Sequence, residues 1–439
     1  MMPAHTVARA PRPESRLRNP RTLWATAYIL INLVAAGMVL SQGQLLGDLA
    51  VEALRDMDDF VLTTVSLCLV IALLLVVFNA AVRVDTGLRP LRHDRRKVGL
   101  LLAVAQGAFI LYVQQTGLFI AGSSERGGSL FSAFWVLFNT DALFIIYYGS
   151  CRDSPHFKLN LVLWVISFLQ RGWFGYLFFV VALESFRIVR KRQVSAGKIA
   201  LVVALIAIYP ILDLVKVYVR VADVVEPAQA FQFTVNEISS PEFRWMDSFA
   251  ESAEKIVSRI QVVSHAQAVS DNASYFHRLV ENDGMVPFWK EGVLGIIWDK
   301  LMGQDHGPEA AQALAAFIAP FLDSSWNVNP SLPGWLTMYE HLLTLAVLYV
   351  AGLCALSIVL GSLIDDRPLF RDAVWFVWLT FLVPGWIAQF VSFVLALGVY
   401  IALALLSRVS LKRPASAAAH GSSGAPTPSR PLAEPSTLA

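Results

Sequence analysis

Charged side chains are scarce in this chain, and that scarcity limits the classes of protein it can belong to. Of its 439 residues, 15% are charged and 56% are hydrophobic, with a mean hydropathy of +0.56. Soluble domains average about 25% charged residues. The deficit is concentrated in long apolar blocks, many of them close to the roughly 20 residues that one transmembrane helix needs. We therefore predict an all-α, polytopic integral membrane protein.

Several motifs of nucleotide, metal and redox chemistry are also missing. The sequence holds no G-x-x-x-x-G-K-[ST] loop and no H-E-x-x-H pair, and its eight histidines show no pairing at metal spacing. Its three cysteines, Cys68, Cys151 and Cys354, form no C-x-x-C pair, which indicates structural thiols. ATP-driven transport and metal-dependent hydrolysis therefore lack support. We expect no metal, no cofactor and no nucleic-acid partner.

The apolar residues form ten segments, which predict about ten transmembrane helices. Two pairs of segments are tight: one pair is interrupted at Arg171 and Gly172, the other around Pro384 to Trp386. Each pair is either two short spans or one long, kinked helix. The first segment has no good cleavage site after it, which favours a retained signal-anchor helix. The segments lie at about 22–40, 61–82, 98–121, 129–150, 159–170, 172–189, 199–218, 336–362, 373–384 and 386–406.

The charges of the loops predict the orientation, because Lys and Arg collect on the cytoplasmic side of a membrane. The leader 1–21 holds five arginines, 83–97 holds six basic residues, and 187–198 holds five. The alternate loops are acidic, and the long segment 217–335 holds 15 acidic and seven basic residues. All basic segments fall on one side only if both tight pairs are two spans each. This pattern predicts cytoplasmic termini and places Arg171 at the outer face of the membrane.

These boundaries give the predicted organisation of the chain. The regions are a basic cytoplasmic leader at 1–21, a membrane domain with helices 1–7 at 22–218, a large and mostly helical periplasmic loop at 219–335, a membrane domain with helices 8–10 at 336–406, and a disordered cytoplasmic tail at 407–439. Within the large loop, apolar residues at 3–4 spacing predict an amphipathic helix over about 242–268. A second helix is expected at about 308–322, and the segment 282–295 between them reads as re-entrant or interfacial.

Arginines at or beyond the outer membrane boundary are the leading candidates for binding an anion. They are Arg171, Arg220, Arg259 and Arg278, together with Arg244. Arginine is always charged and can hold phosphate or carboxylate oxygens with two hydrogen bonds. The alternative for Arg171 is a loop charge that reaches the lipid headgroups. His265 is a candidate proton carrier or a solvated side chain.

Polar and aromatic residues lead directly into the eighth apolar segment. Glu340 and His341 are costly there if they face lipid, so we expect them to face an outer cavity. Glu340 is a candidate general base, with His341 or His265 as substitutes. Trp335 and Tyr339 are candidates for contacting sugar, and their alternative is ordinary interfacial anchoring.

Together these features resemble the Wzy-type oligosaccharide repeat-unit polymerases of bacterial O-antigen and exopolysaccharide assembly. The similarity covers roughly residues 22–406. It rests on the Gln170-Arg171-Gly172 turn between two spans, on Tyr209-Pro210 leading to Arg220, on the loop helix IVSRIQVVSHAQAV, and on LPGWLTMYEH before a span with Gly352 and Gly361. The chain departs from the family near Tyr339, where Thr337 replaces a common glutamate and His341 a common asparagine.

The resemblance implies a metal-independent glycosyltransferase with the membrane C-type fold. It would act on undecaprenyl-diphosphate-linked oligosaccharides, with Arg171, Arg259 and the weaker candidates Arg220 and Arg278 holding the lipid diphosphate. A chain-length regulator and a flippase are the protein partners implied. The nearest rival is an O-antigen ligase, which uses the same donor with another acceptor. The rival from a different class is a transporter of lipid-linked sugars or other solutes, although the sequence shows no internal repeat.

Overall fold

The computed structural model describes residues 19–50, 52–84, 87–120, 130–173, 175–191, 260–319 and 327–408, with a few single residues between 197 and 236. Within these ranges the chain forms helices, turns and one isolated β-bridge, and no strand. The predicted all-α class is therefore confirmed for the described residues. The apolar segment 199–218, most of the leader and the tail lie outside them. Cys68, Cys151 and Cys354 are free thiols.

Fifteen α-helices are described, numbered here in chain order. The first seven are α1 Pro20–Gln42, α2 Met57–Ala81, α3 Arg95–Thr116, α4 Leu130–Leu137, α5 Thr140–Cys151, α6 Phe157–Arg171 and α7 Tyr176–Lys191. The next five are short: α8 Val263–Asp271, α9 Ala273–Glu281, α10 Val293–Leu301, α11 Ala310–Ile318 and α12 Leu332–Met338. The last three are α13 Leu343–Ile364, α14 Pro368–Val377, which continues as a π-helical turn Trp378–Leu382, and α15 Ile387–Leu406.

Six helical stretches among the described residues are long and apolar enough to cross a membrane. They are Pro20–Gln42, Met57–Ala81, Arg95–Thr116, Phe131–Cys151, Glu340–Ile364 and Ile387–Leu406. The predicted count of about ten also includes α6 and α7, which have 15 and 16 residues, and α14 with its π turn. At 1.5 Å per residue these helices are shorter than the roughly 30 Å hydrocarbon core.

The chain reverses direction at the first tight pair. Helix α6 lies parallel to α3, because Asn160 Nδ2 donates to Gly99 O at 2.9 Å and Gln170 Nε2 to Ile110 O at 3.4 Å. It ends at Arg171, and Gly172 follows with a left-handed φ of 69°. Helix α7 then returns, since Glu184 pairs with Arg152, which lies just before α6 begins. The predicted turn at Gly172 is therefore present.

The second tight pair also turns back on itself. The start of α14 and the end of α15 are neighbours, because the Arg367 guanidinium donates to Ser150 O and the Tyr400 hydroxyl lies 2.9 Å from Ser150 Oγ. Between them the chain turns at Gly385, where φ is 81°. A Cβ at this position would lie 2.5 Å from Ser331 O, so only glycine fits the turn.

The two ends of the helix bundle differ in charge and in what covers them. One end, here called the basic end, carries Arg21 and Arg190, which both pair with Asp372, as well as Arg95 and Arg367. The opposite end, here called the loop end, carries both glycine turns and the short helices α8–α12. Backbone hydrogen bonds connect the start of α12 to the turn at Gly385. Ser331 N donates to Pro384 O at 2.8 Å, and Leu332 N donates to Val383 O at 2.9 Å.

Apolar residues on the outer helices divide into an inward and an outward face. On α2 the buried side chains recur at 3–4 spacing, while Leu62, Leu69, Leu73 and Val76 on the other face are at least 60% exposed. Helix α5 is buried along its whole length and forms the centre of the bundle. An apolar outer surface around a packed interior is the arrangement of a multi-pass membrane protein, in which close packing and polar pairs hold the helices together.

The helices of the predicted outer loop differ in extent from the expectation. The helix predicted over 242–268 is broken within its described part, because Gln261 and Val262 are not helical and α8 begins only at Val263. Asn32 on α1 accepts a hydrogen bond from Val262 N at 2.9 Å, which explains the break. The helix expected at 308–322 is observed as Ala310–Ile318, opened by a capping box at Glu309 and Gln312.

Candidate functional site

A cleft lies at the loop end, where both glycine turns meet the short helices. It is shallow and open to solvent, with a cavity volume of about 60 Å³. The side chains that give it chemical character are two carboxyls, two indoles and two amides. They belong to Glu291, Glu309, Trp173, Trp386, Asn327 and Gln389. Residues at the two interruptions of the apolar runs, Trp173, Gly385 and Trp386, thus line one side of the polar cleft.

The two carboxyls of the cleft are held beside each other by backbone hydrogen bonds. Gly292 N, which follows Glu291, donates to Glu309 Oε1 at 2.9 Å. Ala310 N, which follows Glu309, donates to Glu291 Oε1 at 3.3 Å. The backbone N–H that follows each glutamate therefore donates to the carboxyl of the other glutamate. This reciprocal arrangement fixes the start of α11 against the segment that leads into α10.

Glu291 is the most deeply buried of these groups, and aromatic side chains surround it. It is 3% exposed, and Trp335 and Tyr339 behind it are fully buried. The Trp335 Nε1–H donates to both carboxyl oxygens, at 3.0 and 3.1 Å. The Tyr339 hydroxyl oxygen lies 2.9 Å from Glu291 Oε1 and also 2.9 Å from Val286 O. These contacts position Glu291 from below, while its carboxyl reaches the cleft wall.

The environment of Glu291 favours its protonated form. Burial, and next the neighbouring carboxyl of Glu309, raises the pKa of Glu291 to about 8, against the hydrogen bonds from Trp335 and Tyr339. The geometry agrees with this direction. The Val286 carbonyl oxygen can only accept, so it can take the single hydroxyl proton of Tyr339. A protonated Glu291 can then donate its own proton to the Tyr339 oxygen. Burial and the nearby Glu291 also raise the pKa of Tyr339.

A second set of charged groups lies behind Glu309. His306 Nε2 is 3.6 Å from Glu309 Oε1, and His306 Nδ1 is 2.7 Å from Asp299 Oδ2. Lys290 Nζ donates to Asp299 Oδ1 at 2.7 Å. Burial lowers the pKa of His306, but its interactions with Glu309 and Asp299 outweigh burial and raise it above the ordinary value. The two cationic groups therefore balance the acidic side chains around the cleft.

Arg171 is close in sequence to the cleft but lies inside the bundle. It is 5% exposed, and its Nη2 donates to Asp141 Oδ1 at 2.8 Å while its Nε donates to Ser167 O at 3.1 Å. Its guanidinium also sits 5.1 Å from the centre of the Phe109 ring. The charge of Arg171 is therefore balanced within the protein, and binding a diphosphate would require it to exchange Asp141 for the ligand.

The other predicted site residues are dispersed. Glu340 and His341 are exposed, and Glu340 lies 3.6 Å from His277. Trp335 and Tyr339 are buried behind Glu291, and Arg278 is exposed on α9. Arg220, Arg244 and Arg259 lie outside the described residues. The structure brings Trp335 and Tyr339 together at Glu291 but does not bring Glu340 or His341 into the cleft lining.

His265 does not have the surroundings of an exposed proton carrier. It is 4% exposed, and neither ring nitrogen has a hydrogen-bond partner among the described residues. Burial lowers the pKa of His265 to about 4, against the attraction of Asp48. The imidazole is therefore neutral near pH 7. Its proposed role as a substitute base stays a prediction.

Sequence reasoning missed Glu291 and Glu309 as candidate site residues. The signal for Glu291 was its place in NDGMVPFWKEGVLG, where a carboxylate stands among aromatic residues and beside a glycine. The sequence predicts a re-entrant or interfacial segment here, but nothing in it shows that Trp335, 44 positions later, contacts the carboxyl. Within the described parts of the chain, no three His, Cys, Asp or Glu side chains converge on a possible metal site.

Comparison with known proteins identifies no relative. No protein-family model, no curated protein and no solved structure matches this chain. The class of the protein is thus defined by its own fold, that of an all-helical chain with six candidate membrane spans and a polar cleft at one end of the bundle.

Proposed function

We propose that this chain is a membrane glycosyltransferase that polymerises undecaprenyl-diphosphate-linked oligosaccharide repeat units into surface polysaccharide. The transfer joins the growing chain to the incoming lipid-linked unit at the outer face of the bacterial inner membrane. The resemblance of the sequence to Wzy-type polymerases first suggests this activity. The cleft at the loop end is the one structural observation that carries it.

The composition of the cleft suits a carbohydrate better than an apolar or purely anionic ligand. Trp173 and Trp386 offer flat apolar surfaces, while Asn327 and Gln389 offer amide donors and acceptors. Two carboxyls, Glu291 and Glu309, add groups that can accept protons from hydroxyls. Binding pockets commonly combine apolar walls with a few placed polar groups in this way.

Glu291 is our candidate for the general base of the transfer. In the ionised state, its carboxylate takes the proton of the attacking hydroxyl of the incoming unit. The hydroxyl oxygen forms a new bond to the anomeric carbon of the growing chain, and the bond from that carbon to the diphosphate breaks. The electron pair leaves with undecaprenyl diphosphate. A base with a pKa near 8 is suited to this step, because proton transfer is most efficient near the working pH.

Arginines would stabilise the charge that develops on the leaving diphosphate. Arg259 immediately precedes the described segment that leads to α8, and Arg171 lies two positions before Trp173 of the cleft. Arg220 and Arg278 are the weaker candidates. In this proposal Arg171 leaves Asp141 when the diphosphate arrives, so that the buried aspartate and the ligand compete for one guanidinium.

The charge of the two bundle ends supports the proposed orientation. Arg21, Arg95, Arg190 and Arg367 lie together at the basic end, and cationic ends of membrane proteins face the cytoplasm. The cleft is at the opposite end, so it would face the periplasm, with both termini cytoplasmic. A flippase would deliver the lipid-linked unit to that face, and a chain-length regulator would act beside it.

Deletion of the gene followed by a gel of the surface polysaccharide tests this function. We expect loss of the long-chain ladder with single capped units retained, and restoration by the wild-type gene but not by a Glu291→Gln variant. The exposed Glu281 gives a matched control, since Glu281→Gln should restore the ladder. Loss of all capped units would instead indicate a ligase or a transporter and would overturn the proposal.

A further inference from the structure

Helix α10 presents a stripe of large apolar side chains to the outside of the protein. Leu294, Trp298 and Leu301 recur at spacings of four and three, so they share one face of the helix. They are 47%, 56% and 73% exposed. Met302, directly after the helix, and Trp289, just before it, extend the surface and are more than half exposed. We call these five residues the α10 surface.

The opposite face of α10 holds its charge inside the protein. Asp299 is 2% exposed and is bound by Lys290 and His306. The helix therefore turns its carboxylate inward and its apolar side chains outward. A helix that faces water on its outer side has the reverse pattern, with its apolar stripe against the core.

The position of α10 places this surface at the end of the candidate spans. A Cβ on Gly292, which directly precedes the helix, would lie 3.1 Å from the Ala388 backbone, and Ala388 is in the first turn of α15. Helix α10 also packs against α4, which begins the candidate span Phe131–Cys151. The apolar stripe therefore lies beside the ends of these helices, next to α4, whose Phe131 and Phe134 are also exposed and apolar.

We propose that the α10 surface lies in the outer boundary between lipid headgroups and acyl chains, as an interfacial membrane-binding helix. Tryptophan is enriched at this depth because its ring is apolar and its N–H is polar. Helices of this type lie in the membrane plane with their apolar face buried by several ångströms. The bilayer is the occupant that fits, since α10 packs against a candidate membrane span whose Phe131 and Phe134 are themselves exposed and apolar.

This placement gives the cleft an edge at the lipid surface. Glu291 lines the cleft and is followed directly by Gly292 and α10. Only a few residues of the chain therefore separate the cleft wall from the α10 surface. A ligand with a lipid tail could keep its tail in the bilayer beside α10 while its polar part reaches Glu291. The proposed membrane contact of the α10 surface does not depend on the function of the cleft, because exposure and packing alone support it.

Site-directed spin labelling in lipid nanodiscs tests the α10 surface on the full chain. Cys68 is replaced by Ala, while Cys151 and Cys354 are buried and should stay unlabelled. Nitroxides are attached at Leu301→Cys and, as a matched aqueous control three positions later, at Gln304→Cys. A label at Leu69→Cys, on the exposed face of α2, gives the lipid reference. Collision rates with oxygen, which partitions into lipid, and with a water-soluble nickel complex are then compared.

We expect the label at position 301 to collide more with oxygen than with the nickel complex, as at position 69, and the label at 304 to show the reverse. Nickel access at 301 that is as high as at 304 and clearly above that at 69 would show that the surface faces water and would overturn the proposal. Low collision rates of both kinds at 301, with a strongly immobilised label, would show that protein covers the surface. That outcome would also overturn it, in favour of a second copy or another segment of this chain.

Discussion

At the scale of single residues, Glu291 determines most of what the cleft can do. Burial, and next the neighbouring carboxyl of Glu309, makes Glu291 expensive to ionise and raises its pKa to about 8, although its hydrogen bonds with Trp335 and Tyr339 act in the opposite direction. The same hydrogen bonds hold the carboxyl in one orientation. A group that is both oriented and able to titrate near neutral pH is a strong candidate for acid–base chemistry.

The rate of transfer should therefore depend on pH through Glu291. If its ionised form is the base, kcat/KM rises about tenfold for each pH unit below 8 and levels off above it. Glu291→Gln should lower the rate by at least about 100-fold and remove this dependence. The measurement is the initial rate of chain extension between pH 6 and 9. A Glu291→Gln variant with an unchanged pH profile would remove Glu291 from the reaction.

Stability should respond to the same titration. The folded pKa of Glu291 is raised above its ordinary value of 4.5, so the stabilisation that Glu291 contributes is present below pH 4.5 and is lost as pH rises through 8. Glu291→Gln removes this titration. We expect the difference in unfolding free energy, variant minus wild type, to increase from pH 5 to pH 8 by about 3–4 kcal/mol. Thermal unfolding of both proteins across this range tests it, and a constant difference would contradict it.

Arg171 and Asp141 form a buried ion pair whose two possible roles can be separated. Removing one partner leaves an uncompensated buried charge and should cost about 3–5 kcal/mol, whereas replacing both by apolar residues is often neutral. We expect Arg171→Met alone to destabilise the protein, and Arg171→Met with Asp141→Leu to restore thermal stability. If Arg171 binds the diphosphate, the double variant is folded but does not form the polysaccharide ladder. A stable double variant with full ladders would limit Arg171 to a structural role.

Residue patterns in the sequence identified only part of the candidate site. Trp335 and Tyr339 were singled out for their place before a span, and both do contact Glu291. Glu291 itself was missed, because its burial depends on α11 and α12 folding over it from later in the chain. Glu340, which precedes the same span, was favoured as a base but is exposed beside His277. Burial by distant segments has no local signal in a single sequence.

At the scale of elements, the two glycine turns shape the cleft. Trp173 follows the turn at Gly172, and Trp386 and Gln389 follow the turn at Gly385. All three side chains line the cleft. Both turns were predictable, because a charge with glycine and a proline with glycine interrupt otherwise apolar runs. The loop charges also predict that the chain reverses at Gly172, and the pairing of Glu184 on α7 with Arg152, just before α6, shows it.

Substitution of Gly385 tests the importance of its turn. An added Cβ meets both the strain of a positive φ and the Ser331 carbonyl at 2.5 Å, so Gly385→Ala should destabilise the protein by at least about 2 kcal/mol. Gly398 on the following helix is the matched control, since a Cβ there meets no atom within 4 Å. Thermal unfolding of the two variants checks this difference. Equal unfolding temperatures would show that the turn tolerates a side chain.

Other elements were less predictable. The break at Gln261 and Val262 lies inside a continuous 3–4 apolar pattern, and it depends on Asn32 of α1 accepting from Val262 N. The short helices α8 to α12 pack on the ends of the spans and on each other. Their ends are determined by tertiary hydrogen bonds, such as that from Ser331 N to Pro384 O, more than by local sequence.

At the scale of the whole molecule, the paired arginines and the polar cleft lie at opposite ends of the helix bundle. Arginines paired with Asp372 and Asp365 lie at the basic end, and the cleft with its carboxyls and indoles lies at the loop end. Helices α6 and α7 have 15 and 16 residues, too few to cross a hydrocarbon core of about 30 Å, so as spans they would place their turn below the outer membrane boundary. Irregular backbone at such depth is tolerated where it lines a protein-walled or watery cavity. The proposal of a reaction at one face of the membrane rests on this separation of the two ends.

Chain extension by the purified protein tests the central claim most directly. The protein is reconstituted in liposomes with undecaprenyl-diphosphate-linked repeat units from its host, without ATP or added metal, and the products are separated by size. The account predicts a ladder of lipid-linked chains with wild type and with Glu281→Gln, and single units only with Glu291→Gln. Folded wild-type protein that leaves the units unextended, or a Glu291→Gln variant that extends them at the wild-type rate, would contradict it.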